Sequence, residues 1–538
     1  MASSRAVGVG AAIAGRSGGR IQEIHEGGQA MRYSRWASVA VVSLVLLAGL
    51  LVPAMGQVRG GTLVIAYQSN TVPEADPQVT RNIGAQWVAE MVTDPLLRYD
   101  NATESFLPVL ATSWDISEDG LHYTFHLREG VLFHNGVGVT ADAVVKSFER
   151  IRDAANPLAG AGLLSPVDTI EAVDPLTVRL NLKSVFPDFL SNIDRLWIVE
   201  PGSFGTDFPV GCGAFRIVPA EYKIDQSMVL EKFAQYWAGE PYLDKIQVRI
   251  IPDMATALIE LEQGTVDVVQ YAAGKDLPRL QALGIQPIIF GRINWANVVI
   301  NLSKVTDVRL RRAILFAVDQ QALIDGAYGG LGDPMYRMGY PGTWLENADV
   351  GATYDPAEAR RILDVAGWND TNKDGIREID GKEIDLYFPT RNQAEWVSAT
   401  QMIQQMLREV GIGTHITMAE RMPFYDQVRT GDYDIAWWLS NDAAEPPIAL
   451  YTWDAREYWC VHQGKTPVLQ LLIEQAESEL DREKRAAYYR EVQRILIEEA
   501  YAAPGMWNKQ VHVMGPKAHG LLVASTGIAY DSHLWWKG

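Results

Sequence analysis

EDGLHYTFHLREGVLFHNG, residues 118–136, holds three of the nine histidines of the chain, and its reading decides the fold. Between Leu121 and Leu127 the residues alternate. Tyr123, Phe125 and Leu127 fall on one face and His122, Thr124 and His126 on the other, the period of a half-buried strand. Two histidines four residues apart on a strand stand about 13 Å apart. Zinc holds each ligand nitrogen at about 2 Å, so one ion cannot take both. The stretch is architecture, a strand with its histidines on the polar face, and no metal is expected there.

On its C-terminal side, Thr140 is placed to cap a helix with Asp142 in its first turn and an inner face of Val144, Val145, Phe148 and Ile151. DTIEAVDPLTVRLNL (168–182) reads as a hairpin around Asp174-Pro175. On its N-terminal side, GGTLVIAYQSN (60–70) opens with a strand over 62–67. A proline-containing loop follows, then a helix over 84–92 that Asp94-Pro95 ends. PVGCGAFRIV (209–218) is a glycine-rich turn entering a strand. LDKIQVRIIPD (243–253) is a strand, and MATALIELEQGTVDVV (254–269) a helix stopped at Gly264 before another strand. Further helices are expected over 307–326, with Leu310, Ala313, Ile314, Ala317 and Val318 inside, and over 355–367, 394–410 and 481–500. The strands EIDLYF (383–388) and DYDIAWWLS (432–440) lie between them. Such alternation implies α/β domains with mixed sheets.

A length of 538 residues predicts about three domains, and 48 % hydrophobic residues is enough to fill large cores. The formal charge of −19 argues against a nucleic-acid partner. MRYSRWASVAVVSLVLLAGLLVPAMGQ (31–57) sets Arg32 and Arg35 before an apolar run over 37–52 and small residues at Ala54 and Gly56, the pattern of a secretory signal. The run is shorter than the ~20 residues of a spanning helix. Residues 1–30 are rich in Gly, Ala, Ser and Arg, so Met31 is the expected start and Gln57 the first residue of an exported chain. No cysteine follows the run to carry a lipid. Cys212 and Cys460 either pair in an oxidising compartment or remain separate thiols, and the sequence leaves both open.

Several blocks in order carry a family likeness: GGTLVIAY, LPVLATSWDISEDGLHYTFHLREGVLFHNGVGVTADAVVKSFERI, PVGCGAFRI, LEKFAQYWAGEPYLDKIQVRIIPD, DVRLRRAILFAVDQQALI and YDPAEARRILDVAGW. Through them, from Gly60 onward, the chain resembles the periplasmic substrate-binding proteins of ABC importers, in the class that carries oligopeptides, dipeptides and nickel. The resemblance implies a type II periplasmic-binding fold: two lobes, three domains, mixed sheets and a ligand cleft between the lobes. Domain I would comprise residues 57–100, 206–300 and 501–538, domain II residues 101–205 and domain III residues 301–500. The lobes would close about hinges. It further implies a periplasmic monomer without cofactor, which delivers a peptide or other small ligand to permease subunits in the inner membrane and meets the ATPase subunits only through them.

The same resemblance points to a site. WWLSNDAAEPP (437–447) aligns Glu445-Pro446 with an acidic-Pro pair and puts Asp442, beside Asn441, on the aspartate that holds a peptide α-ammonium. FPTRNQAEW (388–396) puts Arg391 on an arginine that takes the peptide carboxylate, for which a guanidinium fork is suited. Trp437 and Trp438 adjoin Asp442, and on a strand only one of them faces the cleft. Tyr67, Ser69 and Asn70 follow the first strand, where α/β sheets present ligand groups, and Trp295 lies near the hinge. Ala443 stands where an aromatic residue commonly follows the aspartate, which leaves ligand size open. Oligosaccharides, opines or a chelated metal such as nickel are the alternative cargo, since 16 tryptophans also suit stacking on sugars.

Other motifs fall away. GRSGG (15–19) has the letters of a hydrolase elbow but sits in the leader, not between a strand and a helix. QGKTP (463–467) lacks the first glycine of a phosphate loop, Trp459 standing in its place. DTNKDGIRE (370–378) begins like a calcium loop at Asp370, Asn372, Asp374 and Gly375, but its twelfth position is Gly381 rather than Glu. It is read as a hairpin turn. No nucleophile–base set assembles, so an exported hydrolase is the least supported reading and no enzyme is expected.

Overall fold

A computed structural model describes residues 57–538 apart from 80–82, 101–102, 154–157, 159, 292–294, 337–341, 441–463, 465 and 525–526. The expected signal segment and Met31 start therefore lie outside the described residues.

The opening stretch forms the strand His122–Leu127, with Tyr123, Phe125 and Leu127 buried. Its histidines have separate partners. His122 Nδ1 lies 2.7 Å from Asn181 Oδ1, and His126 Nε2 lies 2.8 Å from Asp115 Oδ2. His134 Nε2 lies 2.9 Å from the Gly213 carbonyl oxygen. The strand sits in an antiparallel four-stranded sheet, in the order Ala111–Ile116, His122–Leu127, Thr177–Leu182, Val167–Asp174. Helix Ala141–Arg152 covers it, capped by Thr140 Oγ1, which accepts from the Ala143 amide at 3.3 Å. Val144, Phe148 and Ile151 are buried as expected, whereas Val145 is half-buried and Ala143 and Ser147 complete the inner face. This core gathers residues from Leu96 to Cys212.

The chain leaves that core through Gly211 and Gly213, which press on the backbone at Val92–Thr93. A Cβ on Gly211 would stand 1.9 Å from the Val92 oxygen, and one on Gly213 2.5 Å from the Thr93 nitrogen. Cys212 between them is buried, its Sγ 3.8 Å from Thr93 Oγ1, while Cys460 lies outside the described residues.

A mixed seven-stranded sheet follows, in the order Gln286–Phe290, Gln510–Met514, Val268–Val269, Thr62–Tyr67, Lys245–Ile250, Ser227–Lys232, Phe215–Ile217. Thr62–Tyr67 runs parallel to both of its neighbours, and the other pairs are antiparallel. Leu63, Ile65 and Tyr67 join the core on one face, and Val64 and Ala66 the core on the other. A second four-stranded sheet, Gly332–Pro334, Ala502–Asn508, Trp295–Ile300, Ile435–Ser440, lies within a core running from Trp295 to Trp507. The chain passes between these two sheets twice, from Phe290 to Trp295 and from Asn508 to Gln510. Phe290 pairs with Gln510 and Trp295 with Trp507, so the two crossings leave and enter these sheets at neighbouring points.

Two expectations are corrected. The helix over 307–326 is two helices, Val308–Ala317 and Gln320–Tyr328. Val318 keeps the apolar pattern but has φ −88° and ψ 113°, and Asp319 caps the second helix by accepting from the Ala322 amide at 3.0 Å. Asp319 offers the backbone an alternative to continuing the helix. The loop at Asp370–Gly375 is not the turn of a hairpin. Asp370 gathers the Lys373 and Gly375 amides at 2.6 and 2.9 Å. The hairpin comes after it, pairing Glu378–Ile379 with Lys382–Glu383. Its turn is Asp380-Gly381, with φ +52° and +75°, as a type I′ turn requires.

Candidate functional site

The ends of two sheets meet the paired crossings. On the seven-stranded sheet, Tyr67 ends the strand Thr62–Tyr67, with Ser69 and Asn70 just beyond it. Tyr67 is buried, and its hydroxyl is pushed up to about 12, first by burial and then by the charge of Glu74. Ser69 Oγ accepts from the Thr71 amide at 3.4 Å, and Asn70 is exposed.

On the other side, Asp385–Arg391 runs parallel to Gly413–Ala419. It docks on the segment entering Ile435–Ser440: the Tyr387 amide donates to Asp434 Oδ2 at 2.9 Å, and the Asp434 amide donates to the Tyr387 oxygen at 2.9 Å. Arg391 and Ser440 thus end two strands that touch through Tyr387 and Asp434. Arg391 is half-buried, with its guanidinium 5.6 Å from the Trp396 ring centre, and it forms no ion pair among the described residues.

Strand register separates the two adjoining tryptophans. Cross-strand partners project from the same face. Trp438 pairs with Asn297, and Trp295 pairs with both Ser440 and Trp507. Trp295, Trp438 and Trp507 thus share one face, where Trp438 packs edge-on to Tyr425 at 5.6 Å. Trp437 takes the opposite face. It is fully buried, and its Nε1 donates to the Tyr328 hydroxyl at 2.8 Å. Trp295 and Trp438 are themselves nearly buried, at 3 % and 5 % exposure, so all three tryptophans named from the sequence belong to the core from Trp295 to Trp507. Asp442 and Asn441 lie outside the described residues, as do Glu445 and Pro446. The structure brings Trp295 and Trp438 together, sets Arg391 on the neighbouring strand, and places Tyr67, Ser69 and Asn70 on the other sheet.

Sequence reasoning passed over Trp507, which faces Trp295, and Tyr271. Tyr271 lies just past Val268–Val269, next to the strand that Tyr67 ends. It holds φ +54°, a conformation rare outside glycine. Its amide donates to His512 Nδ1 at 3.2 Å, and His512 Nε2 faces the Gly527 oxygen at 3.0 Å. Burial lowers His512 to about 3, so the ring is neutral, with Nε2 as donor and Nδ1 as acceptor. Position after a strand end was the available signal for Tyr271; its backbone conformation left none in the sequence.

Among the described residues no helix is long and apolar enough to cross a membrane. The pattern of bacterial extracellular solute-binding proteins, family 5 Middle, matches residues 105–458. The chain is 27 % identical over 499 residues to the dipeptide-binding protein of Escherichia coli, covering 83 % of this chain and 89 % of that one. It is 26 % identical over 490 residues to heme-binding protein A of Haemophilus influenzae, covering 82 % of this chain and 86 % of that one. NikA from Brucella suis, solved in complex with Fe(III)-EDTA, superposes with a TM-score of 0.80 at 24 % identity, covering 89 % of this chain and 100 % of that chain. The fold is the two-lobe type II periplasmic-binding fold expected from the sequence. With these sheets and this match, the chain belongs to the bacterial extracellular solute-binding proteins of family 5.

Proposed function

We propose that the protein is the exported, solute-binding component of an ABC importer. It takes di- or oligopeptides into a cleft between two lobes and hands them, chemically unchanged, to permease subunits in the inner membrane. The observation that carries this reading is the meeting of two sheets at the paired crossings, with Tyr67, Ser69 and Asn70 at the end of one and Trp438 on the other, and with Arg391 on a strand that touches the second. A relative named as a dipeptide-binding protein supports it. Arg391 takes the peptide carboxylate and Asp442, with Asn441 beside it, the α-ammonium. A dry cleft strengthens both contacts. Domain I comprises residues 57–100, 206–300 and 501–538, domain II residues 101–205 and domain III residues 301–500, a division supported by the separate cores. The protein acts as a periplasmic monomer, catalyses nothing and meets the ATPase subunits only through the permease.

The similarity to a relative named heme-binding protein A favours a second reading, a flat or chelated ligand. Mass spectrometry of solute co-purified with the native protein, followed by calorimetry with di- to pentapeptides, their N-acetylated forms and oligosaccharides, separates the two. Peptides are expected to bind and N-acetylation to weaken them sharply. Equal affinity after acetylation would remove the role given to Asp442, and turnover of a bound compound would remove the transport reading.

A further inference from the structure

The core of residues 96–212 and the core of residues 295–507 have no peptide link to each other. Each joins the chain of the seven-stranded sheet, the first at 92–96 and 212–214, the second at the paired crossings. They nevertheless meet along one seam. Asp188 Oδ1 lies 3.2 Å from Arg485 Nη1, with the two side chains only 1 % and 11 % exposed. Asp188 stands before the helix Phe189–Ile193 yet makes no capping hydrogen bond. Arg485 begins the second turn of helix Arg482–Glu498, its guanidinium 5.1 Å from the Trp344 ring centre. Arg482, 5.0 Å from the same ring, has its Nη2 3.6 Å from Glu104 Oε2. Leu480 packs on the turn before the opening strand so closely that a Cβ on Gly120 would stand 2.8 Å from its Cδ2.

We infer that Asp188 and Arg485 form an interlobe latch, which biases the cleft towards its shut state before any solute arrives. The inference rests on the two-lobe closure proposed above but not on the identity of the solute. Rotation about the crossings would draw Arg485 away from Asp188. In the open state both charges regain water, whereas in the shut state each compensates the other. Removing either charge breaks the buried pair only when shut, so the loss falls on that state. Removing both leaves no lone charge, and part of the shut population returns.

Small-angle scattering of the solute-free, full mature protein tests this. Asp188→Asn and Arg485→Gln are each expected to shift the open-to-shut ratio about ten-fold or more towards a larger radius of gyration, and the double variant by less than either. Glu104→Gln, at the more exposed pair, is expected to move the same way by less, and it serves if the buried variants fail to fold. Curves that superimpose on the wild type, with unchanged circular dichroism, overturn the latch. So does a wild type that is already fully open. A failure of peptides to bind leaves the scattering result standing, so the two readings fail separately.

Discussion

The indole of Trp237 donates from Nε1 to Asp94 Oδ2 at 2.7 Å, and the Tyr236 hydroxyl reaches Oδ1 of the same carboxylate at 3.3 Å. Asp94 is buried, and burial, with Glu90 adding to it, raises it to about 7 against the pull of these donors and of Arg98. Asp194 is raised to about 7 by burial and then by Glu90. An unfolded aspartate titrates near ~3.9, so between that pH and about 7 the folded chain binds more protons than the unfolded one. The stability these groups contribute is whole below about pH 4 and is lost as pH rises through 7. Relative to the wild type, Asp94→Asn is expected to gain in melting temperature as pH rises from 5 to 8 at fixed ionic strength, because only the wild type loses this contribution. An Asp94→Asn slope equal to the wild type's would disprove the assignment.

Arg391 supplies a sharper test of the cleft. Arg391→Leu is expected to weaken peptides with a free C-terminus about ten- to a hundred-fold, the range for a hydrogen bond to a charged group. C-terminally amidated peptides lack that charge and should lose little. Calorimetry with matched pairs reads the difference, and an equal loss for both members would place Arg391 outside the carboxylate site.

Trp437 is a structural residue. Trp437→Ala is expected to lower the unfolding free energy by about 3–5 kcal/mol, as for large buried aromatic residues. Trp437→Phe keeps most of the packing but strips the Tyr328 hydroxyl of its donor, for about 1 kcal/mol. Urea unfolding measures both, and an unchanged midpoint for Trp437→Ala would show that the face beside Tyr328 is not core.

Gly213→Ala forces a methyl group against main chain, 2.5 Å from both the Met91 oxygen and the Thr93 nitrogen. Neither neighbour is the movable tip of a side chain, so a loss of about 2 kcal/mol or more is expected. Chemical denaturation decides it, and a loss within ~0.5 kcal/mol would mean that the two backbone segments can part freely.

What the sequence disclosed follows from where burial is one-sided. Tyr123, Phe125 and Leu127 alternate because one face of their strand meets a core, so the strand and its helix at Thr140 were legible. The break at Val318-Asp319 was not, because Val318 is buried and prolongs the helical stripe while the capping geometry of Asp319 alone interrupts it. The same limit applies at the site. Tyr67 was legible as the end of its strand, and Trp437 and Trp438 as neighbours on one strand. Which of Trp437 and Trp438 shares a face with Trp295 depends on register with a strand more than a hundred residues earlier, which no local pattern encodes.

The adjoining crossings at Trp295 and Trp507 make everything between them a cassette. Its two ends emerge beside each other, the geometry that makes domain insertion and circular permutation tolerable. Evolution, or an engineer, can exchange that whole segment by grafting at two neighbouring points, recasting one wall of the receptor while the remaining scaffold keeps its wiring.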